Sequence, residues 1–453
     1  MEQSEELLLR SSPSKDIRPE DGLLLGHALA LEYGTVVIGT DLMKSSSMMK
    51  NALIAGLTSS GADVIDIGVV SGPAAALAAK MGDCCVYVTE FRQMDLVSGY
   101  LLINKNGGFF GIDQIRHLSH LIASKHKMPD YKSLGTVRMY YNSTMNYNNA
   151  LKENINDTNG GSIILNCNCG LATDSAPQTM NVIGTDVISI HAQKDRNFVS
   201  NSLSIKEADI RQMKTLVEAN PGSIGISLNR IGTLLRVFDE SGEPLTDEQV
   251  LAILILYYKP KKVVVPMDMT WMINDVFSGK TDTGIVTSYP DPDAEETEFI
   301  VAPPSAGSID VAMSKNNADL GFYAGGFIFR NISQAPDAIF ASVLLSQFSA
   351  NNVLKEIVAA LPQYISETKT YKITCTHDDF IRKMNATLPE ISPTKTYENG
   401  YWRVDMPGGG FFISFSNDQE DEVEILAESN DKLYLISLLE VIDNLMETCE
   451  SGQ

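Results

Sequence analysis

Near its N-terminal end the chain runs strand, helix, strand with almost no linker, and this pattern constrains the fold more than any other feature. Thr35-Val36-Val37-Ile38-Gly39-Thr40-Asp41 is apolar and β-branched and reads as a buried strand. Ser47 to Ser60 reads as a helix with serines near its start and Gly61 as its stop. Ala62 to Gly68 is the next strand. Two strands joined this way lie parallel, with the helix crossing one face of the sheet. Cys85 to Thr89 and Tyr100 to Asn104 add strands on either side of an irregular loop, and Ile112 to Ser124 reads as an amphipathic helix.

The theme recurs. Ser162 to Cys167 is a strand, Ala176 to Ile183 a helix ended by Gly184, and Asp186 to His191 a strand. Lys262 to Pro266 is a strand and Trp271 to Phe277 a helix. Clusters of Asp, Gly, Pro and Ser near 130–135, 239–246 and 287–308 separate these blocks. The last block differs. Tyr371 to Cys375, Tyr401 to Asp405, Phe411 to Phe415 and Val423 to Ala427 read as strands, and Asp431 to Met446 as a long helix, an α+β pattern. The expected fold is therefore α/β, three α/β mixed-sheet repeats plus a C-terminal α+β domain.

At 453 residues the chain is too long for one core. The expected division is 1–134, 135–243, 244–349 and 350–453. A net charge of −22 argues against nucleic acid and anionic membrane surfaces as partners. No apolar run reaches the length of a membrane helix, and the acidic N-terminal stretch lacks the features of a secretory signal, so a cytoplasmic location is expected. Six cysteines, none in a CxxC pair, are expected to be reduced core thiols. Cys167 and Cys169 would share one face of a strand.

Several segments carry a specific wording. Asn51-Ala52-Leu53-Ile54-Ala55-Gly56-Leu57-Thr58-Ser59-Ser60-Gly61-Ala62-Asp63-Val64, followed by Asp66-Ile67-Gly68-Val69-Val70, is one. Ser98-Gly99, the stretch Gly225 to Gly242 ending in Asp239-Glu240-Ser241-Gly242, Ala318-Asp319, and Gly325-Gly326-Phe327-Ile328-Phe329 are others. Over residues 17–446 the chain resembles the α-D-phosphohexomutase family, which includes phosphoglucomutase, phosphomannomutase and phosphoglucosamine mutase. The resemblance implies a heart-shaped molecule of four domains around a central cleft.

It also implies four cleft loops, and each departs from the family's pattern. The family's nucleophile loop, T-A-S-H-N-P, carries a phosphorylated serine; the corresponding segment reads Val88-Thr89-Glu90-Phe91-Arg92-Gln93-Met94. Phe91 takes the serine position and has no oxygen to carry a phosphate. Arg92 replaces the histidine, and Leu101 replaces a lysine that follows the family's N-G. The metal loop D-G-D-x-D-R holds Mg²⁺ through three aspartates, and those positions read Asn229, Ile231 and Thr233. The loop's arginine reads Leu234. The sugar-selecting glutamate and serine or asparagine read Phe322 and Ala324. The phosphate-clamping loop aligns with Phe415 to Asp421, so its arginine becomes Phe415, with Asp418, Glu420 and Asp421 adding negative charge. Arg10 is all that remains of the early G-I-R-G, and Arg10 and Arg92 are candidate anion contacts. His117 and His120 share a helical face and read as surface residues.

Loss of a nucleophile alone costs several orders of magnitude in rate. The expectation is a catalytically inactive homologue acting as a protein-interaction, regulatory or assembly subunit. Its partner would be a second copy, an active paralogue or a larger complex. No cofactor is expected, and Mg²⁺ only if mutase activity survives. Two alternatives stay open: residual phosphoglucomutase or phosphomannomutase activity, and a metabolite sensor in which Phe91, Phe322 and Phe415 line an apolar pocket.

Overall fold

The computed structural model describes residues 18–92, 96–123, 130–155, 159–197, 207–277, 297–392, 395–416 and 421–451. The chain forms two compact units, one from Met1–Val263 with Ser305–Ile357, the other from Val264–Pro304 with Val358–Gln453.

The first unit opens with a five-stranded sheet. Its order is Leu96–Asn104, Cys84–Arg92, Thr35–Thr40, Asp63–Val69, Val137–Met139. Thr35–Thr40 is central and pairs in parallel with both neighbours, as the sequence pattern requires. Its residues are buried on both faces, which explains the unbroken apolar run. The helices Pro19–Glu32 and Lys44–Ser59 cross at close range through glycines. A Cβ on Gly26 would lie 2.5 Å from the Leu53 carbonyl, and one on Gly56 would lie 2.2 Å from that of Leu23. The second sheet repeats the theme in the order Asp186–Ile190, Ser162–Asn166, Ser223–Leu228, Leu235–Phe238, ending in an antiparallel hairpin.

Thr246 caps the helix Asp247–Tyr258, accepting from the Gln249 N–H at 3.2 Å while Gln249 reaches back to the Thr246 N–H. Asp337 caps the helix Ala338–Ser349, which is buried over almost its whole length. The hairpin Leu320–Tyr323 to Gly326–Phe329 completes the described strands of this unit, and Lys262–Pro266 spans the boundary between the two units.

The second unit is built on an antiparallel sheet in the order Ile365–Lys372, Glu422–Ser429, Gly409–Phe415, Tyr401–Met406, Lys395–Glu398. The helices His377–Ile391 and Lys432–Ser451 cover one face, burying Phe380, Met384, Trp402, Ile413, Ile425 and Ile442. Side chains alternate along a strand, so Phe412, between Phe411 and Ile413, points to the other face and packs on Met267 and Trp271. This is the α+β block expected from the sequence.

Two local expectations are corrected. The strand expected at Tyr371 to Cys375 lies earlier, at Ile365–Lys372. It is a sheet-edge strand whose side chains mostly face solvent, so it carries no apolar signal. The strand Ser162–Asn166 ends before Cys167, and Asn168 and Cys169 adopt left-handed φ values of 48° and 52°. Cys167 and Cys169 therefore sit in a turn, both buried, and burial pushes the Cys167 thiol up to about 11. Among the described residues no helix is long and apolar enough to cross a membrane.

Candidate functional site

The segment aligned with the nucleophile loop is not a loop on its first side. The strand Cys84–Arg92 continues through Phe91 and Arg92, which pair in register with Val97 and Leu96 of the neighbouring strand. The expectation that Cys85 to Thr89 ends in an irregular loop is corrected accordingly. The run Val86-Tyr87-Val88-Thr89-Glu90-Phe91 is rich in β-branched and aromatic residues, which favour a pleated strand over a turn. Leu101, aligned above with the family's lysine, is buried and pairs in register with Tyr87, so it belongs to the core.

Two residues before Phe91, the Thr89 side chain takes part in a buried polar network. Its hydroxyl donates to Asp41 Oδ2 at 2.6 Å, and Asp41 Oδ1 accepts the Met43 N–H at 2.9 Å. Arg230 reaches the same carboxylate, with Nη2 at 2.9 Å from Asp41 Oδ2 and 3.5 Å from Thr89 Oγ1. The Asp41 side chain is fully buried and that of Arg230 is 10% exposed. Charge-assisted bonds are short and strong, and removing one partner of a buried pair leaves a desolvated charge behind, so this contact is expensive to break.

Arg230 lies between Asn229 and Ile231, inside the segment aligned with the metal loop. Asn229 Oδ1 accepts the N–H groups of Thr233 at 2.8 Å and Leu234 at 3.3 Å, and Asn229 Nδ2 donates to Thr233 Oγ1 at 2.9 Å. The amide and the hydroxyl thus satisfy each other within the turn. Ile231 is buried, and its carbonyl accepts the Gly72 N–H at 2.8 Å. Gly72 is needed at this contact, since a Cβ there would lie 2.7 Å from Thr233 Cγ2.

A hard divalent cation needs several oxygen ligands, preferably carboxylates. Asn229, Ile231 and Thr233 offer one amide and one hydroxyl, already bonded to each other, and one alkyl group. These residues do not fit Mg²⁺. Among the described residues no group of three or more His, Cys, Asp or Glu side chains is placed to hold a metal ion. The positive charge delivered by this segment is the guanidinium of Arg230.

The segment aligned with the sugar loop is a tight hairpin. Phe322 pairs with Phe327 and Tyr323 with Gly326, leaving Ala324 and Gly325 as a two-residue turn with φ values of 47° and 75°. Positive φ at both central residues matches the type I′ turn that suits strand twist. A Cβ on Gly325 would meet the Asp247 carboxylate at 2.5 Å. Phe322 is buried against Phe327, ring centroids 5.4 Å apart. In the second unit Phe415 ends the strand Gly409–Phe415 and stacks on His377 at 4.1 Å, with Phe380 and Trp402 edge-on nearby. Phe322 and Phe415 therefore serve their local cores, a role that the alternative of an apolar ligand pocket does not give them.

Arg10 lies outside the described residues, as do the side chains of Phe91 and Arg92 and the segment Asp418 to Glu420. His117 is exposed and sits 3.2 Å from Glu32 on the surface. The structure brings Thr89 and the segment 229–234 together through Asp41, a residue the sequence reading did not select. Arg230 and Asp41 are 189 positions apart, and no local pattern links them.

Residues 18–128 match the family model for phosphoglucomutase/phosphomannomutase, alpha/beta/alpha domain I. A probable phosphoglucosamine mutase of Methanococcoides burtonii is 27% identical over 93% of this chain and 94% of its own length. One from Methanocella arvoryzae is 27% identical over 97% of both chains. Among solved structures, a phosphoglucomutase/phosphomannomutase family protein from Burkholderia thailandensis superposes with a TM-score of 0.78 at 18% identity, over 99% of this chain and 97% of that one. The Paramecium phosphoglucomutase parafusin gives 0.67 at 11% identity, over 96% and 92%. The multi-domain fold, the matching first domain and the end-to-end relatives all point one way: the chain is similar to the α-D-phosphohexomutase family along its whole length.

Proposed function

We propose that this protein keeps the phosphohexomutase fold without the mutase reaction and acts in the cytoplasm as an interaction or regulatory subunit. The observation that carries this reading is the Arg230–Asp41–Thr89 network. The segment that would supply three carboxylates to a metal supplies a guanidinium instead, and Asp41 neutralises it. The nearest described hydroxyl before the serine position, that of Thr89, is buried and donates to Asp41, so it is held away from a phosphate. The four blocks 1–134, 135–243, 244–349 and 350–453 are the natural units of such a subunit. Its partner would be a second copy or an intact mutase.

The test is a coupled assay on the purified chain with glucosamine 6-phosphate, glucose 1-phosphate and mannose 1-phosphate, primed with the 1,6-bisphosphate and Mg²⁺. We expect no turnover above the rate without protein. Mg²⁺-dependent turnover that survives repeated purification would overturn the reading.

A second reading is favoured by the relatives' names: mutase activity on a hexose or hexosamine phosphate. It is supported by relatives covering 93% of the chain that are named as phosphoglucosamine mutases. It requires an oxygen nucleophile other than position 91 and a route to the transition state without the three-aspartate metal site. Mass spectrometry after incubation with the 1,6-bisphosphate separates the two readings, because a mutase of this kind carries a stable phosphoryl group.

A further inference from the structure

We propose that the first unit carries an anion-binding cavity, separate from the altered loops, that takes a small phosphate-bearing metabolite. The cavity has a volume of about 420 Å³, within the range of small-ligand sites. Lys80, Lys105 and Arg330 line it together with the amides of Asn106, Asn317 and Gln334, and no carboxylate is among its described lining residues. In a chain with 57 acidic and 35 basic residues, an arbitrary surface concavity would be expected to be acidic.

The three cations come from three separate segments. Lys80 lies in the short turn that follows the helix Gly72–Ala78. Lys105 follows the strand Leu96–Asn104, and Arg330 follows the strand Gly326–Phe329. Lys80 alone would be explained as a complement to a helix C-terminus. Convergence with Lys105 and Arg330 is not explained that way. Among the described residues neither the Lys80 nor the Lys105 side chain has an ion-pair or hydrogen-bond partner. Arg330 bonds to Asn317 Oδ1, a neutral acceptor that leaves its charge uncompensated. Like charges held near one another without counter-charges cost free energy, and an anion in the cavity would relieve it.

The walls are built firmly. Asn104 Oδ1 accepts the N–H groups of Asn106 at 2.9 Å and Gly108 at 3.3 Å, fixing the turn that presents Lys105. Gly107, at φ +90°, presses this turn onto its neighbours. A Cβ there would lie 2.9 Å from the Ala76 carbonyl and 2.9 Å from Ser333 Cβ. Gln334 is buried and tied to Ser314 by bonds of 2.8 and 3.2 Å.

The cavity lies away from the altered loops. Lys105 is at the opposite end of its nine-residue strand from the pairing partners of Phe91 and Arg92; nine residues of strand span about 30 Å. Arg330 is at the opposite end of its strand from the Ala324 turn. At physiological salt the Debye length is about 8 Å, so the local cations outweigh the distant net negative charge. Lysines act as point charges and the arginine fork suits phosphate oxygens, so a ligand with two or more negative charges fits this set. None of the lining groups is an activated nucleophile, so the site binds rather than reacts.

Calorimetric titration of the full chain with inorganic pyrophosphate, glucose 6-phosphate and ADP tests this. At least one probe should bind at a single site, weaken as salt rises from about 50 to 200 mM, and be absent for unphosphorylated glucose. The double variant Lys80→Gln with Lys105→Gln should weaken binding at least about tenfold, from the loss of two charge-assisted contacts. Both lysines are exposed, so the variant should fold as the parent does. Ala324→Gly, in the altered sugar loop, should leave the affinity unchanged. Unchanged affinity in the double variant, or no heat from any probe at millimolar concentration, would overturn the proposal. Neither result depends on whether the chain turns over hexose phosphates.

Discussion

Arg230 in the first unit and Arg403 in the second are both well buried, and different groups balance their charges. Arg230 meets a carboxylate, Asp41, whose side chain is fully inaccessible. Arg403 stands over the Trp271 ring at 4.0 Å and donates to the carbonyls of Met267 at 2.8 Å and Met269 at 2.6 Å. Its own carboxylate partner, Asp405, is 34% exposed. Burial lowers the Arg403 pKa although Asp405, and then Glu428 and Asp268, act to raise it; the carbonyls and the π face add to these carboxylates. The first arrangement depends on a partner's charge. The second depends on shape, because Trp271 also fills the space above Gly410, where a Cβ would meet the ring at 2.7 Å.

The largest expected effect breaks the shape-dependent side. Trp271→Ala should lower stability by about 4 kcal/mol, the range for deleting a large buried aromatic, read by chemical denaturation. Conserving the charge should not help there: Arg403→Lys keeps a cation but loses the stacked, forked geometry. A Lys variant as stable as the parent would remove the distinction.

The next effect separates the two arginines directly. Asp41→Asn removes a fully buried counter-charge from Arg230 and should cost about 3 kcal/mol. Asp405→Asn keeps an acceptor for Trp271 and Arg403 at a partly exposed site and should cost less than about 1 kcal/mol. Equal losses in the two variants would show that the charge of Asp41 is not what holds Arg230.

A third effect concerns carboxylates of the first unit that have no such cation. Asp337 bonds the Tyr147 hydroxyl at 2.7 Å and the Phe340 N–H at 2.9 Å, and Asp310 accepts from Asn104 at 2.8 Å. Burial raises the pKa of each to about 6. The folded state then holds protons that the unfolded state has released, so these groups make stability fall as pH rises from about 4 to about 6. Denaturation across that window should show the fall in the parent and a shallower one in Asp337→Asn.

The smallest effect lies in the Ala324-Gly325 turn. Ala324 holds a left-handed φ of 47°, which costs a residue with a Cβ about 1 kcal/mol. Ala324→Gly should raise stability by roughly that amount, less the added freedom of the unfolded chain. No gain in a thermal melt would mean that the turn is not strained.

Much of the fold was legible because period and punctuation are local. Thr35–Thr40, Lys262–Pro266 and Trp271–Phe277 fall within a residue of where their apolar runs and stop signals place them. Ile365–Lys372 was not legible, because an exposed edge strand writes no apolar pattern. The extension of Cys84–Arg92 was hidden by the resemblance itself, which suggested a loop where the residues favour a strand.

The sequence by itself determined the repeated α/β blocks and the resemblance to the phosphohexomutases, and that resemblance carries the expectation that positions 91, 229, 231, 233 and 322 hold groups unable to do the family's chemistry. These follow from residue identity and short-range periodicity. Only the tertiary structure decided which distant residues meet. Arg230 meets Asp41 across 189 residues, Phe415 stacks on His377, and Lys80, Lys105 and Arg330 converge on one cavity. Charge pairing and ring packing act over a few ångströms in space, and separation along the chain carries no information about which distant residues will meet.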